Sequence, residues 1–106
     1  MILYNVTVKI DHAAHADWLI WMKTTHIPEV MDTGCFQEYR FCKLLGMDET
    51  DGMTYAVQYL AQNMEAIEAY QTQHAPALQS DYQKRWNNQY VVFRSLLEVM
   101  HNGLKT

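Results

Sequence analysis

The first ten residues alternate between apolar and polar positions, as a strand with one buried face does. In residues 2–10 every even position is aliphatic or aromatic, and Leu3 is the one apolar residue among the odd positions. Successive side chains of a strand point to opposite faces, so this pattern predicts a half-buried strand. Three later segments are rich in aromatic residues or alternate similarly and are also predicted as strands: residues 35–46, 53–61 and 90–100.

The segments between these strands have a helical period. The first carries an inward stripe at steps of four, formed by Ala14, Trp18, Met22 and His26. Asp11 is the predicted N-cap of this helix. Pro28 disfavours helical backbone at the residue before it, which predicts a break near His26. The second helix is predicted to begin at Asn63 and to be kinked by Pro76.

One phrase occurs in both helical segments: residues 24–30 read TTHIPEV and residues 72–78 read TQHAPAL. Strand residues on either side of it repeat in the same order. Tyr4-x-Val6 matches Tyr55-x-Val57, and Phe36-x-x-Tyr39-Arg40 matches Tyr90-x-x-Phe93-Arg94. Because three anchors recur in one order, we expect the chain to consist of two βαβ halves.

The predicted element order is therefore β-α-β-β-α-β. Two interleaved βαβ halves give an α+β, ferredoxin-like split-βαβ fold, with a four-stranded antiparallel sheet and two helices on one face. The 106 residues fit one domain, predicted over residues 1–101. Residues 102–106 are predicted to form a C-terminal tail.

Strict alternation assigns the strand residues to two sides of the sheet. The aromatic positions of the repeat, including Tyr39 and Phe93, are predicted to face the helices. The opposite side is then formed by Asn5, Thr7, Glu38, Arg40, Ala56, Gln58, Val92, Arg94 and Leu96. The apolar residues Leu3, Val92 and Leu96 on this otherwise polar side predict an interface with a second copy of the chain, and hence a homodimer.

The HIPEV phrase is followed by Gly34 and then by an aromatic strand. In this respect the chain resembles the dimeric α/β-barrel superfamily, in which two ferredoxin-like subunits form a barrel from their sheets. It is similar there to a small bacterial family of unassigned function, over Ile2 to Met100. The resemblance implies a dimeric α/β barrel. It leaves open small-ligand monooxygenases, haem-degrading enzymes, cyclases, dismutase-like enzymes and ligand-binding regulators.

The haem-degrading members resemble one another in an Asn on the first strand, a His on the second long helix and a Trp ten residues before that His. Asn5 and His74 fit this pattern, but position 64 is Met64. A motif needs its full context, so the incomplete match argues against haem. No cofactor is predicted.

His26 and His74 are the strongest candidates for a chemical role. A histidine near a helix end can cap free carbonyl groups, and one in a pocket can act as a base or contact a ligand. Both interpretations are open at this point. Trp18 and Trp21 precede His26 by one or two helical turns and are candidates for an aromatic pocket wall.

Arg40 and Arg94 are the remaining charged candidates. Their guanidinium groups either pair with carboxylates at the dimer interface or bind the carboxylate or phosphate of a ligand. Asn5 and Gln58 complete the predicted ligand-binding residues. The common zinc, nucleotide and nucleophile signatures are absent from the sequence, so no metal site is predicted.

Charge and composition disfavour several partners and locations. The net charge is −4, with eight Lys and Arg spread along the chain, which disfavours nucleic acids and anionic membranes. No apolar run approaches the ~20 residues that span a bilayer. The start of the chain lacks the features of a secretion signal. Cys35 and Cys42 form no C-x-x-C motif, which favours two reduced thiols in the cytoplasm.

The leading hypothesis is a cytoplasmic homodimer that encloses a small-molecule pocket, with no assignable reaction. The first alternative is a cofactor-free enzyme of the monooxygenase or cyclase kind, with His26 or His74 as base. The second is a purely structural or regulatory dimer. A deep pocket beside the histidines favours a ligand, and a filled core favours the structural dimer.

Overall fold

A computed structural model describes residues 1–105 of the chain, and Thr106, the last residue of the predicted tail, lies outside the described residues. Four strands form one antiparallel sheet: β1 (Ile2–Ile10), β2 (Glu38–Lys43), β3 (Met53–Ala61) and β4 (Tyr90–Glu98). Their spatial order is β2-β3-β1-β4. This topology confirms the predicted ferredoxin-like fold.

Helices follow β1 and β3 and pack on one side of the sheet. The first helical segment consists of α1 (His12–Trp21), a π-helical turn (Met22–His26) and α2 (Ile27–Asp32), and the second consists of α3 (Met64–Gln73) and α4 (Ala75–Trp86). The second segment begins and bends as predicted: Asn63 Oδ1 accepts from the Ala66 N–H at 2.9 Å, and His74 departs from helical backbone. Within residues 1–105, no helix combines the length and apolar character needed to cross a membrane.

Two expectations for the first segment were wrong. Asp11 precedes α1, but its side chain accepts no capping hydrogen bond. The helix also continues through His26 and Ile27, whose backbones stay in the right-handed helical region. A proline ring clashes with the carbonyl group four residues earlier in a regular helix, here that of Thr24. The π-helical turn contains Thr24 and widens the helix there, so Pro28 is accommodated without a break.

The central strands β1 and β3 are related as the repeat predicted. Val6 and Val57 pair at the middle of the two strands, an offset of 57 − 6 = 51 residues. The same offset relates Tyr4 to Tyr55, and both side chains are buried on the helix side of the sheet. The central strands of the two halves therefore correspond residue by residue, at the offset that the repeat predicted.

The predicted alignment of the edge strands β2 and β4 was wrong by one residue. Tyr39 pairs with Tyr59, whose equivalent in β1 is Val8 at the same offset of 51. Val8 in turn pairs with Val92. Val92, and not Phe93, is therefore the structural equivalent of Tyr39, an offset of 92 − 39 = 53 instead of 54.

This slip reverses the side of every β4 residue, because neighbouring residues of a strand face opposite ways. Three residues that were predicted on the open side, the side without helices, lie on the helix side instead: Val92, Arg94 and Leu96. Phe93 was predicted to face the helices, but it lies on the open side with 68% of its surface exposed. The remaining candidates lie on the open side: Leu3, Asn5, Arg40 and Gln58.

The core lies between the helices and the sheet and is largely aromatic. Trp18 and Trp86 are its largest buried side chains. The indole N–H of Trp18 donates to the Tyr82 hydroxyl at 2.7 Å, a bond that joins the first helical segment to the second. The indole N–H of Trp86 is buried without a hydrogen-bond acceptor among residues 1–105.

Candidate functional site

His26 closes the π-helical turn, and its imidazole is packed among aromatic rings. It stacks on Trp21, with ring centroids 5.0 Å apart and 17° between the planes. It meets Tyr82 edge-on at 4.9 Å and 81°. Burial, assisted by the positive charge of Arg94, lowers the pKa of His26 from 6.5 to about 4. The ring is therefore neutral at neutral pH, with one nitrogen able to donate and the other able to accept.

His26 lines a cavity of about 30 Å³ between the sheet and the helices. Strands β1, β3 and β4 supply one wall, and residues of both helical segments supply the other. A space of this size holds about one or two water molecules. Apart from aliphatic side chains, the lining consists of His26, Gln79, Arg94 and the tyrosines Tyr4, Tyr59, Tyr70, Tyr82 and Tyr90, with Met22.

Four of the cavity tyrosines, Tyr4, Tyr59, Tyr70 and Tyr82, supply hydroxyl groups that stay protonated. Burial raises the pKa of Tyr59, Tyr70 and Tyr82 far above the ordinary tyrosine value. Burial also raises the pKa of Tyr4, although the charge of Arg94 partly opposes this shift. Neutral hydroxyl donors in a space with little water can stabilise an oxygen atom that carries or develops negative charge.

Arg94 lies at the outer edge of the cavity, where β4 pairs with β1. Its guanidinium group forms no ion pair with a carboxylate of residues 1–105. An open recess of about 240 Å³ adjoins it, lined by Tyr4, Gln71, Gln79, Arg94, Ser95 and Leu96. Tyr4, Gln79 and Arg94 line both spaces and therefore form the partition between the recess and the cavity.

Three of the predicted site residues come together here: His26, Trp21 and Arg94. Trp21 stacks on His26 but does not line the cavity. Trp18 does not line the cavity either. Its indole N–H holds the hydroxyl of Tyr82, whose ring contacts His26. Trp18 therefore supports the site through Tyr82 instead of forming its wall.

His74 lies elsewhere, at the junction of α3 and α4. It lines a surface groove of about 370 Å³ together with Glu29 and Asp32. No group of three or more His, Cys, Asp or Glu side chains among the described residues is arranged to hold a metal ion. Neither His26 nor His74 forms a capping hydrogen bond through its side chain, so the capping interpretation has no support at either position.

Asn5, Gln58 and Arg40 form one row across the open side of the sheet. Asn5 pairs with Gln58, and Gln58 pairs with Arg40. Gln58 and Arg40 border a hollow of about 460 Å³ that the tail residue Leu104 also lines. His74 lies in the helical layer on the other side of the sheet, so Asn5 and His74 do not form one haem site.

The tyrosine lining and Gln79 were missed from the sequence. Tyr59 and Tyr70 stand at strand and helix positions that predict core packing, and a periodic pattern gives no sign of a cavity beside them. Gln79 is exposed and follows the inward-facing position Leu78, so no periodicity marks it. The one-residue slip in β4 hid the proximity of Arg94 to His26.

The sheet order, the two helical segments and the packing of both on one side define a ferredoxin-like fold. The chain belongs to the family described as a domain of unknown function, DUF4286, whose model matches residues 1–100. No curated protein matches the chain in sequence.

Solved structures share the fold at low sequence identity. HapK from Hahella chejuensis is 11% identical, with a TM-score of 0.72 over 100% of this chain and 99% of HapK. MhuD, solved with two manganese protoporphyrin IX molecules per active site, is 18% identical, with a TM-score of 0.66 over 99% and 100%. SnoaB from Streptomyces nogalater, a cofactor-independent oxygenase, is 11% identical, with a TM-score of 0.60 over 95% of both chains. These likenesses show the fold alone.

Proposed function

We propose that the protein is a homodimer in which each subunit binds a small, mostly apolar molecule between its sheet and its helices, beside His26 and Arg94. One observation carries the proposal: a neutral, half-buried imidazole and a guanidinium group without a carboxylate partner meet at an otherwise aromatic and aliphatic cavity. A few polar groups that converge on an apolar space, one of them with a strongly shifted pKa, are typical of ligand sites.

The ligand needs more room than the cavity has. Small-molecule sites occupy about 300–1,000 Å³, whereas the cavity measures about 30 Å³ and the adjoining recess about 240 Å³. We infer that the ligand enters from the recess and that the partition gives way. Gln79 is the part of the partition best suited to move, because its side chain is long, exposed and without a hydrogen-bond partner among residues 1–105.

The homodimer is proposed from the open side of the sheet. Val91, Phe93 and Leu97 lie there on the edge strand β4 and are 70%, 68% and 46% exposed. Leu3 lies beside them on β1, opposite Leu97. A row of apolar side chains on an uncovered sheet is typical of an interface, and a second sheet related by a two-fold axis matches it. The predicted interface residues Val92 and Leu96 are replaced in this proposal by Val91, Phe93 and Leu97.

The proposal also locates the dimer in the cytoplasm. Cys35 and Cys42 are both free thiols in the structure. Unpaired cysteines are typical of proteins in reducing compartments. The partner of each subunit in this proposal is a second copy of the chain, and the other partner is the small molecule.

A second candidate function is a cofactor-free enzyme of the monooxygenase or cyclase kind, with His26 as the base. The position of His26 at the cavity favours it over His74, which faces a surface groove. An imidazole with a pKa of about 4 is unprotonated at neutral pH but is a weak base. Catalysis therefore requires a bound substrate that raises the pKa of His26.

Native mass spectrometry of freshly purified protein tests the proposal, because it reports stoichiometry and any retained small molecule together. We expect a dimer with an added small mass, which is lost in His26→Phe and kept in His74→Phe, the matched control from the other half. Conversion of the retained molecule by the wild type and not by His26→Phe identifies an enzyme.

A dimer that carries no added mass, and whose melting temperature responds to no compound, contradicts the ligand proposal and leaves the structural or regulatory dimer. A monomer contradicts the homodimer. A mass that is lost equally from both histidine variants contradicts the assignment of the site to His26.

A further inference from the structure

The candidate site carries positive charge and no negative charge. The cavity and the recess together are lined by residues of both helical segments and of three strands, yet Arg94 is the one formally charged side chain among them. The chain has 12 Asp and Glu residues, and none of those within residues 1–105 lines either space. In a protein with a net charge of −4, this concentrates positive potential at the recess.

The neutral polar groups near Arg94 can all donate hydrogen bonds. Gln71 presents an amide group from α3, and Tyr4 presents a protonated phenol from β1. A guanidinium group binds a carboxylate through two parallel hydrogen bonds, and added neutral donors satisfy the remaining lone pairs. The recess is therefore equipped for an anionic oxygen group on the ligand.

The size of the recess limits the rest of the ligand. About 240 Å³ is below the usual range for drug-sized sites of about 300–1,000 Å³, so one ring fits better than several. Inward from Arg94 the lining changes to the rings of Tyr4 and Tyr82 and to aliphatic side chains such as Val92. Aromatic and aliphatic walls favour an apolar, planar body beyond the anionic group.

We propose that the ligand is a one-ring aromatic monocarboxylate, whose carboxylate is bound by Arg94 and whose ring points inward towards His26. This inference rests on the proposed function, since it names the chemical class that the same site takes. The carboxylate faces the recess and the donors around it. The ring takes the place of Gln79 between the recess and the cavity.

The test compares benzoate with benzamide, which has the same ring and a neutral head group, and with phenol, which carries a hydroxyl in place of the carboxylate. Binding to the unliganded dimer is followed by NMR through the backbone amides of β4 and the imidazole signals of His26 and His74. We expect benzoate to bind at least tenfold more tightly than benzamide or phenol and to shift His26 without shifting His74.

Two arginine variants separate charge from fold. Arg94→Gln is expected to reduce benzoate affinity at least tenfold, to the level of benzamide. Arg40→Gln, the control on the open side, is expected to leave it unchanged. Equal binding of benzoate and benzamide beside His26 overturns the carboxylate inference and leaves the proposed function standing. Absence of shifts near His26 with all three compounds, at concentrations up to about 10 mM, overturns the inference and counts against the site itself.

Discussion

The T-x-H-x-P phrase occurs in both halves of the chain, and its two copies have different surroundings. In the first, a π-helical turn carries His26 to a buried cavity without a break in the helix. In the second, the backbone bends at His74, and the side chain faces a surface groove. The residue after each histidine is buried in both copies, Ile27 in one and Ala75 in the other. The repeat therefore preserves packing positions, and the candidate chemistry belongs to one copy.

The two arginines of the repeat differ in the same way. Arg40 and Arg94 follow an aromatic residue in matching phrases, but Arg40 lies on the open side and Arg94 on the helix side. A shift of one residue in the edge strand is enough for this, because side chains alternate. A sequence repeat thus gives the architecture of both halves without assigning a function to either.

The largest effect is expected at the open side of the edge strand β4. Phe93→Asp places an uncompensated carboxylate in each half of the proposed dimer interface, which costs about 3–5 kcal/mol for a buried unpaired charge. We expect this variant to be a monomer by light scattering. Leu96→Asp is the matched control, because Leu96 lies on the helix side of the same strand, and it is expected to remain a dimer. Dissociation by Leu96→Asp and not by Phe93→Asp contradicts the interface.

The next largest effect is a loss of stability on substitution of the buried residues that follow the two histidines. Ile27→Ala removes a fully buried side chain, and we expect a loss of about 2–5 kcal/mol in the free energy of unfolding. Ala75→Ile adds volume at the equivalent place and is expected to cost about 1–3 kcal/mol through overpacking. Chemical denaturation of both variants measures these losses. A negligible loss for Ile27→Ala contradicts the placement of α2 against the sheet.

The smallest expected effect is a loss of stability at acidic pH that depends on His26. The pKa of His26 is 6.5 as an ordinary histidine and about 4 in the folded protein. Between these values the unfolded chain binds more protons, so stability falls as the pH drops from 6.5 towards 4. The difference of 6.5 − 4 = 2.5 pKa units corresponds to at most about 3 kcal/mol.

His26→Phe removes this titration. As the pH drops from 6.5 to 4, the free energy of unfolding of this variant is therefore expected to fall by about 2–3 kcal/mol less than that of the wild type. His74→Phe is the matched control from the other half, because His74 does not line the cavity. Carboxylates that titrate in the same range affect all three proteins alike. Parallel pH profiles for His26→Phe and the wild type contradict the lowered pKa of His26 in the folded protein.

The sequence was sufficient for the fold and insufficient for the site, and the reasons are physical. Alternation in residues 2–10 and the equivalence of Tyr4 with Tyr55 follow from local periods, which the structure keeps. The register of β4 was not recoverable, because its apolar residues are contiguous from Tyr90 to Phe93 and support either alternation. The continuation of the helix through Pro28 depends on a π-helical turn, which no pattern of residues in the sequence predicts.

The most direct test of the central claim, that His26 and not His74 lies at a ligand site, is a crystal structure of the protein soaked with benzoate-sized aromatic compounds. We expect density in the recess beside Arg94, with the bound ring directed towards His26 and the side chain of Gln79 displaced. Density confined to the groove beside His74, with the recess empty and Gln79 in place, would contradict the claim.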